Sequence, residues 1–236
     1  MDIVIVTGAG SGIGRATARR LAKGGARVVA VGRRPEPLAE TAAGLDIHPL
    51  AADVTVDPEG IVTEVVDRFG RVDVLVNNAG IARPGRLDAV DRSTALDLFA
   101  TNLLAPLLLT SAAVRAMPDG GVVCNVSTAI GQRGWPESSV YAGLKAALDS
   151  FTRSWAVELA PRGIRVVAVA PGAIETPIAD GLPAERRQAL RNWQIAHTPL
   201  GRVGTPDEVA DAIANLIGST FVTGVVLPVD GGAVVA

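Results

Sequence analysis

The chain has 236 residues, 48% of them apolar and 19% charged, and its 22 basic and 24 acidic side chains leave a net charge of −2. That balance excludes disorder and argues against a nucleic-acid or anionic-membrane partner, since no general electrostatic attraction to either exists. The length suits one layered domain spanning residues 1–236, and the lone cysteine, Cys124, excludes an internal disulfide.

Near the start, acidic Asp2 precedes an apolar run of only 3–6, which lacks the basic start and the length of a signal peptide. A cytoplasmic location is the resulting expectation. Short β-branched runs recur at 3–6, 27–31, 72–76, 122–126, 165–169 and 225–229, with 47–50 as a weaker seventh. Each is too short for a helix and continuous enough for a parallel strand covered on both faces. The segments between them carry helix signals. Gly24-Gly25 can close the first helix in a left-handed cap, Asp57-Pro58-Glu59 offers an N-cap before a proline, and Thr205-Pro206-Asp207-Glu208 adds a capping-box glutamate. The predicted fold is α/β: a single doubly wound, Rossmann-like domain with a parallel seven-stranded sheet and helices on both faces.

The apolar stretch 96–117 carries Asp97, Asn102, Pro106, Thr110 and Ser111, which are costly in lipid and suit a buried or interface helix. A second long helix is expected from Ser139 to about Leu159. Together the two carry more apolar surface than one sheet face needs, which suggests contacts between subunits. The polar stretch 175–202 is long for a loop, reads as a substrate-loop segment and is expected to be helical around 184–194. Trp135, Trp193 and Ile195 are substrate anchors or packing residues, while Arg186, Arg187 and Arg191 meet an acidic carrier or form a solvated face.

Directly after the first run stands Thr7-Gly8-Ala9-Gly10-Ser11-Gly12-Ile13-Gly14, leading into a helix, so backbone amides and the helix dipole converge on a point that suits a pyrophosphate. About twenty residues on, the second run ends Val31-Gly32-Arg33-Arg34, with no acid to hold a ribose 2′-hydroxyl. Two arginines can instead pair a 2′-phosphate, which favours NADP(H) and leaves NAD(H) open. Asp53, after the weak run, is either a partner for the adenine amino group or a turn-forming aspartate. Tyr141 and Lys145 lie four residues apart, on one face of a helix, where an ammonium favours a phenolate. His48 and His197 have no ligand-like spacing, so no metal is expected.

Taken together and in order, Thr7-Gly8-x-x-x-Gly12-Ile13-Gly14, Asn77-Asn78-Ala79-Gly80, Tyr141-x-x-x-Lys145 and Pro171-Gly172 resemble the short-chain dehydrogenase/reductase family over nearly the whole chain. Asp53-Val54, Asn102, Pro199-Leu200-Gly201-Arg202 and the ending Val229-Asp230-Gly231-Gly232 resemble its 3-oxoacyl-(acyl-carrier-protein) reductase branch. The resemblance implies that Tyr141 is the general acid for carbonyl reduction, that Lys145 lowers its pKa and binds the nicotinamide ribose, and that Asn102 holds a relay water. It also implies a cofactor running along Gly8, Ser11, Gly12, Ile13, Gly14, Arg33, Arg34, Asp53, Val54, Asn78, Ala79 and Gly80, with Pro171, Gly172, Ile174 and Thr176 at its nicotinamide end. One position departs from the pattern: the serine usual thirteen residues before the tyrosine is Thr128, preceded by Ser127 as the fallback. A threonine hydroxyl donates the same hydrogen bond from a stiffer rotamer. The implied activity is NADP(H)-dependent hydride transfer to a small carbonyl substrate, with carrier-linked 3-oxoacyl thioesters among the candidates and a homotetramer, or less often a homodimer, as the assembly. An alcohol, sugar or steroid dehydrogenase and a low-activity dinucleotide-binding regulator are the alternatives.

Overall fold

The computed structural model describes residues 1–176 and 184–236. The β-branched runs form β1 (Ile3–Thr7), β2 (Arg27–Gly32), β3 (Ile47–Ala51), β4 (Val74–Asn77), β5 (Val122–Val126), β6 (Arg165–Pro171) and β7 (Val226–Val229). They pair in parallel in the order β3-β2-β1-β4-β5-β6-β7. Around them lie α1 (Gly12–Lys23), α2 (Pro35–Ala42), α3 (Pro58–Phe69), α4 (Arg92–Phe99), α5 (Ala105–Ala116), α6 (Ser139–Leu159), α7 (Ala184–Ala196) and α8 (Pro206–Gly218).

Successive side chains on a strand point to opposite faces, and here both faces are apolar. Ile3, Ile5, Val29, Val31, Leu75 and Val123 join α3 and α5 in one core. Val4, Val6, Val28, Ala30, Val74 and Cys124 join α1 and α8 in the other. That two-sided burial is why the strands read as unbroken β-branched runs.

The helix ends follow their local chemistry. Asp57 accepts from the Gly60 amide with Pro58 in the first turn, and Thr205 and Glu208 form a reciprocal capping box. At the end of α1 the left-handed residue is Gly25 alone, with φ of 94°; its N–H donates to Ala22 O while that of Ala26 donates to Leu21 O. Two elements differ from expectation. The strand expected at 72 begins at Val74, where the ladder to β1 starts, because the Asp73 carboxylate takes the Ile3 N–H. The helix expected from 96 begins at Arg92 and continues into α5 through a π turn, Ala100–Leu104. By length and composition the rod Arg92–Ala116 could cross a membrane, yet half of its apolar window is buried inside the fold.

β1 pairs with β2 on one side and β4 on the other, so the chain reverses direction across the sheet there. The crevice beyond the carboxyl ends of these strands is where such sheets bind ligands.

Candidate active site

The floor of that crevice is tied together by Thr7. Its hydroxyl accepts from the amides of Asn78 at 3.0 Å and Ala79 at 2.9 Å and donates to Val76 O, while Asn78 Nδ2 donates to Thr7 O at 2.8 Å. The glycines are required by closeness. A Cβ on Gly14 would stand 2.3 Å from Gly8 O, and one on Gly8, whose φ is 65°, would stand 2.9 Å from the Ala79 Cα. Ser11 makes no side-chain cap and the first turn of α1 carries no acid, so the N–H groups there remain free for an anion. Ile13 packs into the core, which leaves its main chain for a ligand. Arg15 was not singled out by its position in the motif; it braces the loop by donating to Gly10 O at 2.6 Å and to Glu40 at 2.9 Å.

At the end of β2, Arg33 and Arg34 are exposed. The Asp53 carboxylate accepts from the Thr55 amide and hydroxyl at 2.9 and 2.7 Å. Partial burial raises its pKa, but the Thr55 bonds and the charge of Arg33 outweigh this and hold it below its usual value. Val54 is buried among Leu50 and Ile61, so its side chain faces the core.

The second half of the crevice gathers four residues from three parts of the fold. Tyr141 and Lys145 stand one turn apart on α6, Thr128 follows β5, and Asn102 lies in the π turn. Burial pushes the Tyr141 phenol up to about 12, opposed by a hydrogen bond with the Thr128 hydroxyl. Burial also pulls the Lys145 ammonium down to about 8, opposed by the charge of Asp149. Lys145 Nζ donates to Val126 O at 2.7 Å. The Asn102 amide donates to Ile81 O at 2.9 Å and Leu98 O at 3.0 Å and accepts from the Ile81 N–H at 3.2 Å. One amide proton and the amide oxygen therefore clamp the chain that follows Gly80, while the other proton is held by the preceding turn of the helix. A Cβ on Gly80 would lie 2.9 Å from Asn102 Oδ1 and 3.7 Å from Lys145 Nζ, so these three residues converge.

Pro171 ends β6 with its carbonyl 3.5 Å from the Thr128 hydroxyl. Gly172 is pressed against Asp230, where a Cβ would stand 2.7 Å from that residue's own. Ile174 bridges to Gly204, and the Thr176 hydroxyl turns back to Ile174 O. Of the two adjacent hydroxyls, Thr128 meets Tyr141, whereas Ser127 faces the Lys145 carbonyl and Asp149. Asp149 was not singled out from the sequence.

Beside the crevice, Trp135 meets Trp193 edge-on at 4.4 Å, and Trp193 stacks on His197 at 3.8 Å. The loop before Tyr141 thus touches α7. Arg191 pairs with Glu175, which ties α7 to the chain after β6. The rest of the expected substrate segment, 177–183, lies outside the described residues.

A glycine cradle at the reversal of a doubly wound sheet, beside a half-buried phenol and a buried hydroxyl and ammonium, defines a nicotinamide-dependent oxidoreductase. The profile of a family described as enoyl-(acyl carrier protein) reductase matches residues 8–234. The 3-oxoacyl-(acyl-carrier-protein) reductase FabG of Thermotoga maritima is 39% identical over 244 residues, covering 99% of this chain and 98% of the relative. A solved variant of actinorhodin polyketide ketoreductase with NADPH superposes with a TM-score of 0.92 at 34% identity, over 100% of this chain and 98% of that one. The 3-ketoacyl-(acyl-carrier-protein) reductase of Brucella melitensis complexed with NADH gives 0.91 at 34% identity, over 99% and 98%. The chain belongs to the short-chain dehydrogenase/reductase family, in its FabG-like branch, and acts on CH–OH and C=O groups.

Proposed function

We propose that this enzyme is an NADPH-dependent carbonyl reductase whose leading substrate class is the 3-oxoacyl thioester. The observation that carries this reading is the half-buried Tyr141, its hydroxyl bonded to Thr128, one helical turn from Lys145. When bound, the nicotinamide supplies the hydride. Thr128 orients the substrate oxygen, Tyr141 donates its proton to that oxygen, and the Lys145 ammonium stabilises the phenolate left behind. Lys145 also holds the nicotinamide ribose. Asn102 clamps the 80–81 chain against the π turn, and a relay water there is received through oxygen lone pairs, since both amide protons are engaged.

Toward the cofactor, Gly8, Ser11, Gly12, Ile13 and Gly14 offer main chain and free amides to the pyrophosphate. Asp53, Val54, Asn78, Ala79 and Gly80 line its course, and Pro171, Gly172, Ile174 and Thr176 border the nicotinamide. Arg33 and Arg34 take the 2′-phosphate: both are exposed, and among the described residues neither forms an ion pair. This supports NADP(H) over NAD(H), although one solved relative carries NADPH and another NADH. Exposed Leu96, Phe99, Leu108 and Val157 on α4, α5 and α6 support a homotetramer or homodimer, and the composition supports a cytoplasmic enzyme.

The test is NADPH oxidation with acetoacetyl-coenzyme A, for wild type and Tyr141→Phe. Turnover in wild type and a loss of about a thousandfold in the variant, with NADPH binding retained, is the expected result. NADPH binding without turnover of this thioester or of a panel of ketones and aldehydes overturns the reductase reading in favour of a dinucleotide-binding regulator.

A further inference from the structure

A carboxylate that none of these steps uses stands one helical turn beyond Lys145. Asp149 is 5% exposed, Lys145 3% and Ser127 3%. Residues four apart lie over one another on a helix, so the ammonium and the carboxylate share the face of α6 turned toward the end of β5. Asp149 Oδ1 is buried with no hydrogen-bond partner. The Ser127 hydroxyl bonds the carboxylate and lies 3.4 Å from Lys145 O. Asp149 also lines a pocket of about 520 Å³ with Gly131, Gln132, Ala146, Arg153 and Val226.

A buried carboxylate is expensive unless it is compensated, and an apolar side chain would fill the same place at less cost. Burial holds the Asp149 carboxyl above its usual value, and Ser127, Arg153 and Lys145 oppose this in part by favouring the charged form. We propose that Asp149 is a positioning residue whose negative charge keeps the buried Lys145 protonated while Tyr141 gives up its proton. This rests on Tyr141 and Lys145 carrying the reaction.

The surroundings leave that role to Asp149. Tyr141 and Asp149 are the titratable groups along α6 that flank Lys145, and Arg153 and Lys145 are the charges acting on Asp149. Cys124 on β5 lies in the opposite core. On the other elements packed against α6, Arg162 bonds the Val114 and Met117 carbonyls, Arg165 bonds the Leu216 and Val222 carbonyls, Asp97 pairs with Arg83, and Arg92 is exposed to solvent. Burial lowers Lys145 and Asp149 opposes it, so removing the carboxylate lets Lys145 lose its proton at lower pH.

The experiment measures kcat and KM for acetoacetyl-coenzyme A with NADPH against pH, in wild type, Asp149→Asn, Asp149→Glu and Arg153→Gln. In Asp149→Asn the alkaline limb of kcat/KM moves to lower pH by about one unit, a loss of roughly tenfold on that limb that shrinks toward acid pH. Asp149→Glu restores the limb. Arg153 is exposed, and Arg153→Gln leaves the carboxylate ionised on the alkaline limb while removing a neighbouring positive charge, so the limb moves to higher pH by less, the sign opposite to Asp149→Asn; a shift to lower pH there would overturn the inference even if Asp149→Asn does not fold. NADPH binding followed by fluorescence quenching shifts in parallel, independently of turnover. Equal loss at every pH with the limb in place, or no change at all, overturns the inference. Tyr141→Phe in the same assay separates the two levels. Retained turnover there sinks the catalytic reading, whereas lost turnover with an unmoved limb in Asp149→Asn sinks the Asp149 role alone.

Discussion

Asn77 and Asn125 meet side chain to side chain inside the sheet, the Asn77 amide donating to Asn125 Oδ1 at 2.9 Å with both residues buried. The contact is the middle of a longer chain. Asn77 Nδ2 also donates to the Thr110 hydroxyl at 3.0 Å, Asn125 Nδ2 donates to the Thr152 hydroxyl at 2.9 Å, and Thr152 donates to Leu148 O at 2.9 Å. One polar thread thus runs from α5 through β4 and β5 into α6, just below the strand ends that carry Asn78 and Thr128. In a low-dielectric interior such a thread is strong when complete and costly when cut. Asn125→Ala leaves both Asn77 and Thr152 short of a partner, and a loss of about 3 kcal/mol in urea unfolding is expected. Because the thread anchors α6, kcat should fall more than NADPH affinity. A loss below about 1 kcal/mol would mean that water replaces the missing amide.

The cofactor preference turns on Arg33. Its guanidinium is exposed beside Asp53, which accepts hydrogen bonds from Thr55 and is not ion-paired to it. A charge-assisted pair to a 2′-phosphate is worth about 2 kcal/mol. Arg33→Ala should therefore weaken NADPH binding by roughly thirtyfold and leave NADH binding unchanged, read by fluorescence titration. Equal effects on the two dinucleotides would make Arg33 a general surface charge and shift the 2′-phosphate role to Arg34.

Thr128 supplies the hydroxyl that meets Tyr141, and its γ-methyl is the only addition relative to serine. Thr128→Ser should keep kcat within about threefold while relaxing KM for bulkier ketones, because the freed rotamer and the extra space change fit more than chemistry. Thr128→Ala should lower kcat by about a hundredfold, as the oxygen-orienting bond is lost. If Ser127→Ala, measured in parallel, shows the larger kcat loss, the two adjacent hydroxyls have the opposite assignment.

The strands were legible because a parallel strand covered on both sides must be apolar throughout, and the caps at Asp57 and Thr205 were legible because they use side chains with one purpose. What stayed hidden depends on partners distant in sequence. Helix α2 buries only Leu38 and Thr41, too little for a periodic signal, and it is placed by Pro37 resting on the Gly10 turn. The π turn adds a residue to a helix without any residue type that marks it, yet it sets where Asn102 points. Asn125 and Asp149 sat unremarked within β5 and the long α6 helix until the fold put Asn77 and Ser127 beside them. The site motifs were readable because each is a local run; the network that positions them is not local.

Cys124 makes the last prediction. It is fully buried on β5, and burial pushes its thiol up to about 12 from the usual 9.0. A thiol protected in this way reacts as thiolate only when the chain opens. Labelling by a disulfide reagent should follow global unfolding, accelerate with urea, and slow when NADPH is bound. The same shift has a sign for stability. Between about pH 9 and about pH 12 the unfolded thiol has lost its proton while the folded one keeps it, so stability falls as pH rises through that window. Cys124→Ala removes this slope: its stability deficit relative to wild type, measured by urea unfolding, should shrink by up to about 1.4 kcal/mol per pH unit above about pH 9 and stay constant below it. A deficit that does not change with pH would show that the thiol ionises as easily in the folded chain as in the unfolded one.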